Sequence, residues 1–225
     1  MKLRWVSIPV IGAAGSVAGV CASYRWLRRW GSSLYEHEHR WPGDELSPSA
    51  RTVHTRAVSI DASPEAVWPW LTQIGQDRSG FYSYTWLENA VGCQMPKVHE
   101  VRENWQQRLP GDKVLMTTPR RFAGKAYNVV AQVDPGRSLV LVAPGDLARL
   151  ERGEEANWVW QFVLVPEPGG TRLVVRSRYR TRQLVLEPVQ FVMERKMMRT
   201  IKRLSERSAG AGGPAAMATV PCAVV

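Results

Sequence analysis

Residues 187–207, EPVQFVMERKMMRTIKRLSER, set the terms for the whole chain. Glu187 and Pro188 suit a helix start, because proline is tolerated in the first turn and a carboxylate complements the helix N-terminus. Val189, Val192, Met193, Met197, Ile201 and Leu204 recur at spacings of three and four, while Arg195, Arg199, Lys202 and Arg203 lie mostly on the other face. The pattern predicts an amphipathic helix of about 20 residues, roughly 30 Å long. Each large apolar side chain on its inner face gains about 1.5 to 3 kcal/mol only when something covers it. The rest of the chain must therefore supply an apolar surface.

That surface is a sheet. Residues 53–60 read as a first strand, followed by DASPEAVWPWL with Ser63 as N-cap and Pro64 in the first helical turn. Pro69 keeps this helix short or kinked. GQDRSG at 75–80 is a turn, and residues 81–92 form a second short helix carrying four aromatics in its first six positions. Strand-like segments then follow at 113–118, 126–133, 138–143, 157–165 and 171–180, with DPGR and EPGG as hairpin connections. Trp158, Trp160, Phe162 and Leu164 share one face of their strand, as do Leu173, Val175, Ser177 and Tyr179 of the next. Arg172, Arg176, Arg178 and Arg180 occupy the opposite face, and such alternation marks an antiparallel sheet with one covered and one wet side. The expected fold is α+β: a curved antiparallel sheet of six or seven strands around a long C-terminal helix, with two short helices after the first strand.

Four segments result: a hydrophobic N-terminus at 1–24, a linker at 25–50, the domain at 51–207 and a Gly- and Ala-rich tail at 208–225 that lacks a helical or strand period. Residues 6–24 hold no charge and are long enough to span a bilayer. Trp5, Trp26 and Trp30 stand where interfacial tryptophans would sit, and Arg25, Arg28 and Arg29 favour a cytoplasmic domain behind a single-pass anchor. A cleaved signal peptide ending near Val20-Cys21-Ala22 is the alternative. The linker holds WG, EHEHR and PGDEL, a turn-rich stretch that can lie on the domain. His37, Glu38 and His39 read there as solvated, with no second cluster of metal ligands.

The net charge of +10 lies mostly within the domain, where 24 basic residues face 16 acidic ones. It favours anionic neighbours such as lipid headgroups. No nucleic-acid recognition motif accompanies it, so nucleic acid is not an expected partner. Three cysteines at 21, 93 and 222 form neither a disulfide framework nor a zinc spacing. Nucleophile elbow, HExxH, phosphate loop and dinucleotide fingerprint are all missing from the sequence, and no cofactor is implied.

The order strand, two short helices, several hairpin strands and one long helix resembles the helix-grip fold of the START-like, polyketide cyclase and pollen-allergen superfamily (SRPBCC). TRAVSIDASPEAVWPWL at 55–71, GFYSYTWLEN at 80–89, TRLVVRSR at 171–178 and EPVQFVMERKMM at 187–198 carry the match. They look like a bacterial subgroup in which a hydrophobic segment and a WG plus PGDEL linker precede the domain. The superfamily includes lipid carriers, sterol and hormone binders, aromatase/cyclases and co-chaperones, so the resemblance implies a cavity between sheet and helix without fixing an activity. Binding of a hydrophobic small molecule or lipid is the first expectation, with Trp86, Trp158, Trp160, Met193 and Met197 bordering the cavity. A cyclase- or dehydratase-like enzyme is the second, with Tyr82, Tyr84, Glu88 and an inward-turned Arg176 as the polar candidates. The third is a membrane-tethered interaction module whose basic face docks on anionic lipid.

Overall fold

A computed structural model of the chain describes residues 23–181 and 186–211. Six antiparallel strands form one sheet in the order β1-β6-β5-β4-β3-β2, comprising β1 (Thr52–Ile60), β2 (Lys113–Leu115), β3 (Tyr127–Asp134), β4 (Ser138–Val142), β5 (Trp158–Glu167) and β6 (Gly170–Tyr179). Helices α1 (Leu34–Glu38), α2 (Pro64–Thr72), α3 (Thr85–Ala90), α4 (Pro144–Glu151) and α5 (Glu187–Gly210) complete the element order. The β4–β5–β6–β1 register places Leu141 beside Trp160, Phe162 beside Val175 and Leu164 beside Leu173. These side chains point to one face and meet Met197, Met198, Ile201 and Leu204 of α5 together with Val67, Trp70 and Leu71 of α2. The sheet grips the long helix, as the α+β helix-grip expectation requires, with six strands.

Two details of the core depart from the sequence reading. In residues 187–194 of α5 the buried positions are Glu187, Phe191 and Glu194, whereas Val189 and Val192 are exposed. The helix is rotated because residues 23–30 pack beside it: Trp26 meets the Phe191 ring edge-on at 5.1 Å, and Trp30 does so at 6.3 Å. Helix α4, for which the sequence reading has no element, is anchored by Asp146. Its carboxylate accepts from Asn157 Nδ2 at 2.9 Å and from the Trp158 amide at 3.0 Å, while Leu147 and Leu150 pack on Val129, Val140 and Val142.

The larger correction concerns the far side of the sheet. Arg172, Arg176 and Arg178 do not form a wet face, because the stretch expected to be a linker lies over them. Arg172 binds the Glu36 carboxylate through Nε at 2.6 Å and Nη2 at 3.0 Å. Arg176 is buried and donates to Asp44 at 2.5 Å, to Thr55 Oγ1 at 2.9 Å and to the carbonyls of Glu36, His37 and His39. Arg178 donates to the Ser47 carbonyl at 3.0 Å. Trp41 is buried against Ala57, Val163 and Val174, and its indole N–H donates to the Glu36 carbonyl at 2.8 Å. Two glycines make the close approach possible. A Cβ on Gly31 (φ +72°) would lie 2.2 Å from the Ala57 carbonyl oxygen, and one on Gly43 (φ +91°) would lie 2.7 Å from Val140. Residues 31–48 are thus part of the fold.

The membrane expectation for residues 6–24 falls almost entirely outside the described residues, as does the tail beyond 211. Among the described residues, no helix is long and apolar enough to cross a membrane.

A third contact ties the start of α5 to the sheet. Arg28 donates to both Glu187 oxygens at 2.9 and 2.8 Å, and buried His54 of β1 lies 3.6 Å from the same carboxylate. Burial above all, then the nearby Arg56 charge, holds the His54 imidazole at about 4, below its usual 6.5, despite Glu187. The native state keeps His54 neutral while the unfolded chain protonates it below about 6.5, so this contribution to stability is lost as pH falls from about 6.5 toward 4. At pH 5 the loss amounts to about 2 kcal/mol. Urea unfolding at pH 7 and pH 5 should show that loss in the wild type and a shallower dependence in His54→Phe; parallel profiles would refute the assignment.

Candidate functional site

A cavity of about 240 Å³ opens between α5, β5 and the segment that leads into α3. One wall is a row of rings. Phe81 stacks on Trp160 at 6.0 Å, Trp160 on Trp158 at 6.0 Å and Trp158 on Tyr179 at 6.1 Å. Trp158 and Trp160 fall in line because residues two apart on a strand point to the same face. The helix supplies Gln190, Met193, Glu194 and Met197, and Ser83, Glu88 and Met116 close the remaining sides. Thioether side chains adapt to irregular ligands, which suits such a lining.

Polar groups in this apolar space are few and placed deep. Glu194 is only 4% exposed and is paired with Arg56, a fully buried arginine of β1 whose Nη1 donates at 3.0 Å. Arg56 Nε donates to the Leu27 carbonyl at 2.8 Å, and its guanidinium lies 5.3 Å from the centre of the Phe191 ring. Burial pushes the Glu194 carboxyl above its usual range, more than the Arg56 charge pulls it down. Burial does the same to Glu88. The Glu88 Oε2 oxygen is buried without a hydrogen-bond partner among the described residues. The Trp160 side chain interacts with Glu194 and the Trp158 side chain with Tyr179, each favouring the charged form of its partner. Tyr179 is pushed up to about 12, again mainly by burial, and its hydroxyl accepts from Gln190 Nε2.

The structure brings together five of the nine residues singled out in the sequence: Glu88, Trp158, Trp160, Met193 and Met197 all line the cavity. Tyr82, Tyr84 and Trp86 line a neighbouring cleft of about 500 Å³ that shares Ser83 with the cavity. Tyr82 itself is buried, accepts from Gln73 Nε2 at 3.0 Å and has φ +54°, a strained backbone for a non-glycine residue. Trp86 is 70% exposed and borders the cleft, not the cavity. Arg176 is not turned inward. Residues of β6 alternate faces, and Arg176 belongs with Arg172 and Arg178 on the side away from α5.

Glu194 and Arg56 are the residues that sequence reasoning missed. Their signal was weak but present: Glu194 lies three residues after Phe191 and three before Met197, on the stripe that is buried, and Arg56 alternates with Val58 and Ile60 on the inner face of β1. Among the described residues, no group of three or more His, Cys, Asp or Glu side chains is placed to hold a metal ion.

No protein-family model and no curated protein matches this chain. Similar solved structures include protein NE0264 from Nitrosomonas europaea, 13% identical over 72% of this chain and 97% of that one, with a TM-score of 0.44. An AHSA1-like protein from Aeromonas hydrophila is 12% identical over 70% of this chain and 94% of that one, with a TM-score of 0.39. The di-domain aromatase/cyclase StfQ of the steffimycin biosynthetic pathway is 14% identical over 75% of this chain and 55% of that one, with a TM-score of 0.43.

Removing one member of a buried ion pair strands the other. Arg56→Met should therefore destabilise the protein by about 3 to 5 kcal/mol, whereas Arg56→Met with Glu194→Met should recover much of that loss. A denaturant double-mutant cycle measures the coupling, and strictly additive losses would show that the pair is not an energetic unit.

Proposed function

We propose that this chain binds a small hydrophobic molecule carrying at least one polar oxygen, held between β5 and α5. The single observation that carries the reading is an apolar, ring-walled cavity whose lining includes a few polar side chains, among them Ser83, Glu88, Gln190 and Glu194. Its volume, near the lower end for small-molecule sites, favours a ligand of one or two rings or a short acyl chain over a whole two-chain lipid. Gln190 would meet the ligand's oxygen, as would Glu88, whose carboxyl is pushed above its usual range by burial.

Glu88 supports a second reading, proton transfer on a reactive ligand of the cyclase or dehydratase kind. Burial pushes its carboxyl upward, the direction a general acid needs. Binding alone asks less of the geometry and stands first.

Membrane tethering is part of the proposal. It is supported by the charge-free residues 6–24 and by the cationic Arg25 and Arg29 behind them, with the domain on the cytoplasmic side. Arg28 adds little to this, because its charge is taken by Glu187. Deleting residues 1–22 should move the protein from the membrane fraction to the supernatant; an unchanged distribution would remove the anchor from the proposal.

Native mass spectrometry of the full chain from a bacterial host tests the cavity. The expected result is a small molecule retained at near one per chain, or uptake of 1-octanol or 2-naphthol when the protein arrives empty. Met193→Trp, which places a larger side chain in the cavity, should abolish either. Exposed Leu109 is remote from the lining, and Leu109→Ala should change nothing. A wild type that neither retains nor takes up any of these would overturn the reading.

A further inference from the structure

The cleft beside the cavity has a chemistry of its own. Lys97, His99, Lys196 and Arg203 line it together with Tyr84 and Trp86. Lys196, Thr200 and Arg203 recur at helical spacing along one edge of α5, and Met193 and Met197 of the cavity stand on the neighbouring edge of the same turns. Ser83 belongs to both linings, and its hydroxyl donates to the Met193 carbonyl at 2.9 Å.

This cleft differs from the arginine row across the sheet in lacking internal counter-charge. Across the sheet, Arg172, Arg176 and Arg178 are each matched by Glu36 or Asp44 within 3.2 Å. Lys97, Lys196 and Arg203 have no carboxylate partner among the described residues; Lys196 lies 5.7 Å from the centre of the Tyr84 ring. The positive field registers on His99, whose imidazole is held below its ordinary value by burial and then by Lys97, Arg203, Lys196 and Arg207. Unmatched charges of one sign in a cleft attract a ligand of the other sign.

The geometry points to an amphipathic anion as the ligand, its apolar part in the cavity along Trp158 and Trp160 and its phosphate or carboxylate head in the cleft among Lys97, Lys196 and Arg203. This deepens the cavity reading and depends on it. The head exchanges water for cations that the protein leaves unpaired, and the tail covers apolar surface at about 0.8 kcal/mol per buried CH₂.

Calorimetric titration of the full chain with octyl phosphate, octanoate, 1-octanol and inorganic phosphate decides it. At low salt octyl phosphate should bind at least about tenfold tighter than 1-octanol, an advantage that shrinks at high ionic strength. Octanoate in place of octyl phosphate as the stronger ligand would identify the head as a carboxylate and keep the proposal. The double variant Lys97→Ala with Arg203→Ala should erase the preference for the anion while leaving 1-octanol affinity intact. Both sites are on the surface, so folding is not at stake. Met193→Trp should weaken the alkyl ligands but not any residual binding of inorganic phosphate. Anion occupancy should also raise the His99 titration midpoint, read from its imidazole resonances. Equal affinity for octyl phosphate and 1-octanol would overturn the anionic head and leave the cavity reading standing. Inorganic phosphate binding as tightly as octyl phosphate, with no effect of Met193→Trp, would make the cleft an independent anion site and overturn the joint ligand. Failure of every alkyl ligand would overturn the joint ligand, and failure of 2-naphthol as well, with nothing retained, would overturn the cavity reading.

Discussion

The buried ion pair between Arg56 and Glu194 fixes how the long helix sits in the sheet. A fully buried guanidinium is tolerable only when its charge is matched and its donors are used. Arg56 of β1 meets that demand by reaching α5 on one side and the Leu27 carbonyl on the other. One side chain therefore joins the first strand, the approach segment and the last helix. Once Glu194 must face Arg56, Phe191 turns toward Trp26 and Trp30, Val189 and Val192 turn to solvent, and Met193 and Met197 fall on the edge that faces Trp158 and Trp160. The cavity wall follows from an electrostatic requirement met by one of its own residues, Glu194.

A second set of charges does comparable work on the opposite face. Gln161 Nε2 donates to Asp44 at 3.0 Å, in a site already occupied by Arg176 and Arg178. Glu36 serves the Ser33 capping box and Arg172 at once, and burial, which works against its charge, is outweighed by those bonds so that its carboxyl stays below the usual range. Such groups stabilise less than apolar packing of the same volume would, but they specify register: only one placement of residues 33–48 satisfies every arginine. Through Gly31 and the Trp30 carbonyl, which accepts from the Ala57 amide at 3.2 Å, that placement also sets where residues 23–30 meet α5. The two faces of the sheet are coupled by the chain that crosses from one to the other.

The fold was largely legible in the sequence, because its signals are periodic and local. Alternation placed Trp160, Phe162, Leu173 and Val175 on the inner face, and turn formers marked the hairpins at 134–137 and 167–170. The arginine row misled because alternation reports which residues share a face, not what covers that face. Its cover is a low-periodicity segment whose informative residues, Gly31, Trp41, Gly43 and Asp44, act through backbone approach and long-range bonds. The site was legible in part for the same reason. Trp158, Trp160, Met193 and Met197 follow from periodicity, whereas Glu194 is hidden by it, since a carboxylate on an apolar stripe reads as a shift of register until its partner is known. Tyr82 and Trp86 lie four residues apart in one aromatic run, yet one is buried and the other exposed, because the chain turns through a positive φ at Tyr82 before α3 begins.

Ten tryptophans can fill a cavity as easily as line one, and the arrangement of rings here decides between the two. Trp158, Trp160 and Phe81 stack at near-parallel angles of 25° to 27°, so they form a flat wall instead of interlocking across the space. The facing helix residues are flexible methionines and polar Gln190 and Glu194, none of which extends a rigid ring to meet that wall. Leaving such a void costs a core on the order of several kcal/mol compared with a filled one. The buried Glu88 oxygen that lacks a partner among the described residues adds to that cost. An isolated folding domain gains nothing from the void, which Leu or Phe at 190 would close. On the proposed reading the void and its lining are one object, a surface whose missing contacts a ligand with an apolar body and a hydrogen-bonding oxygen would complete.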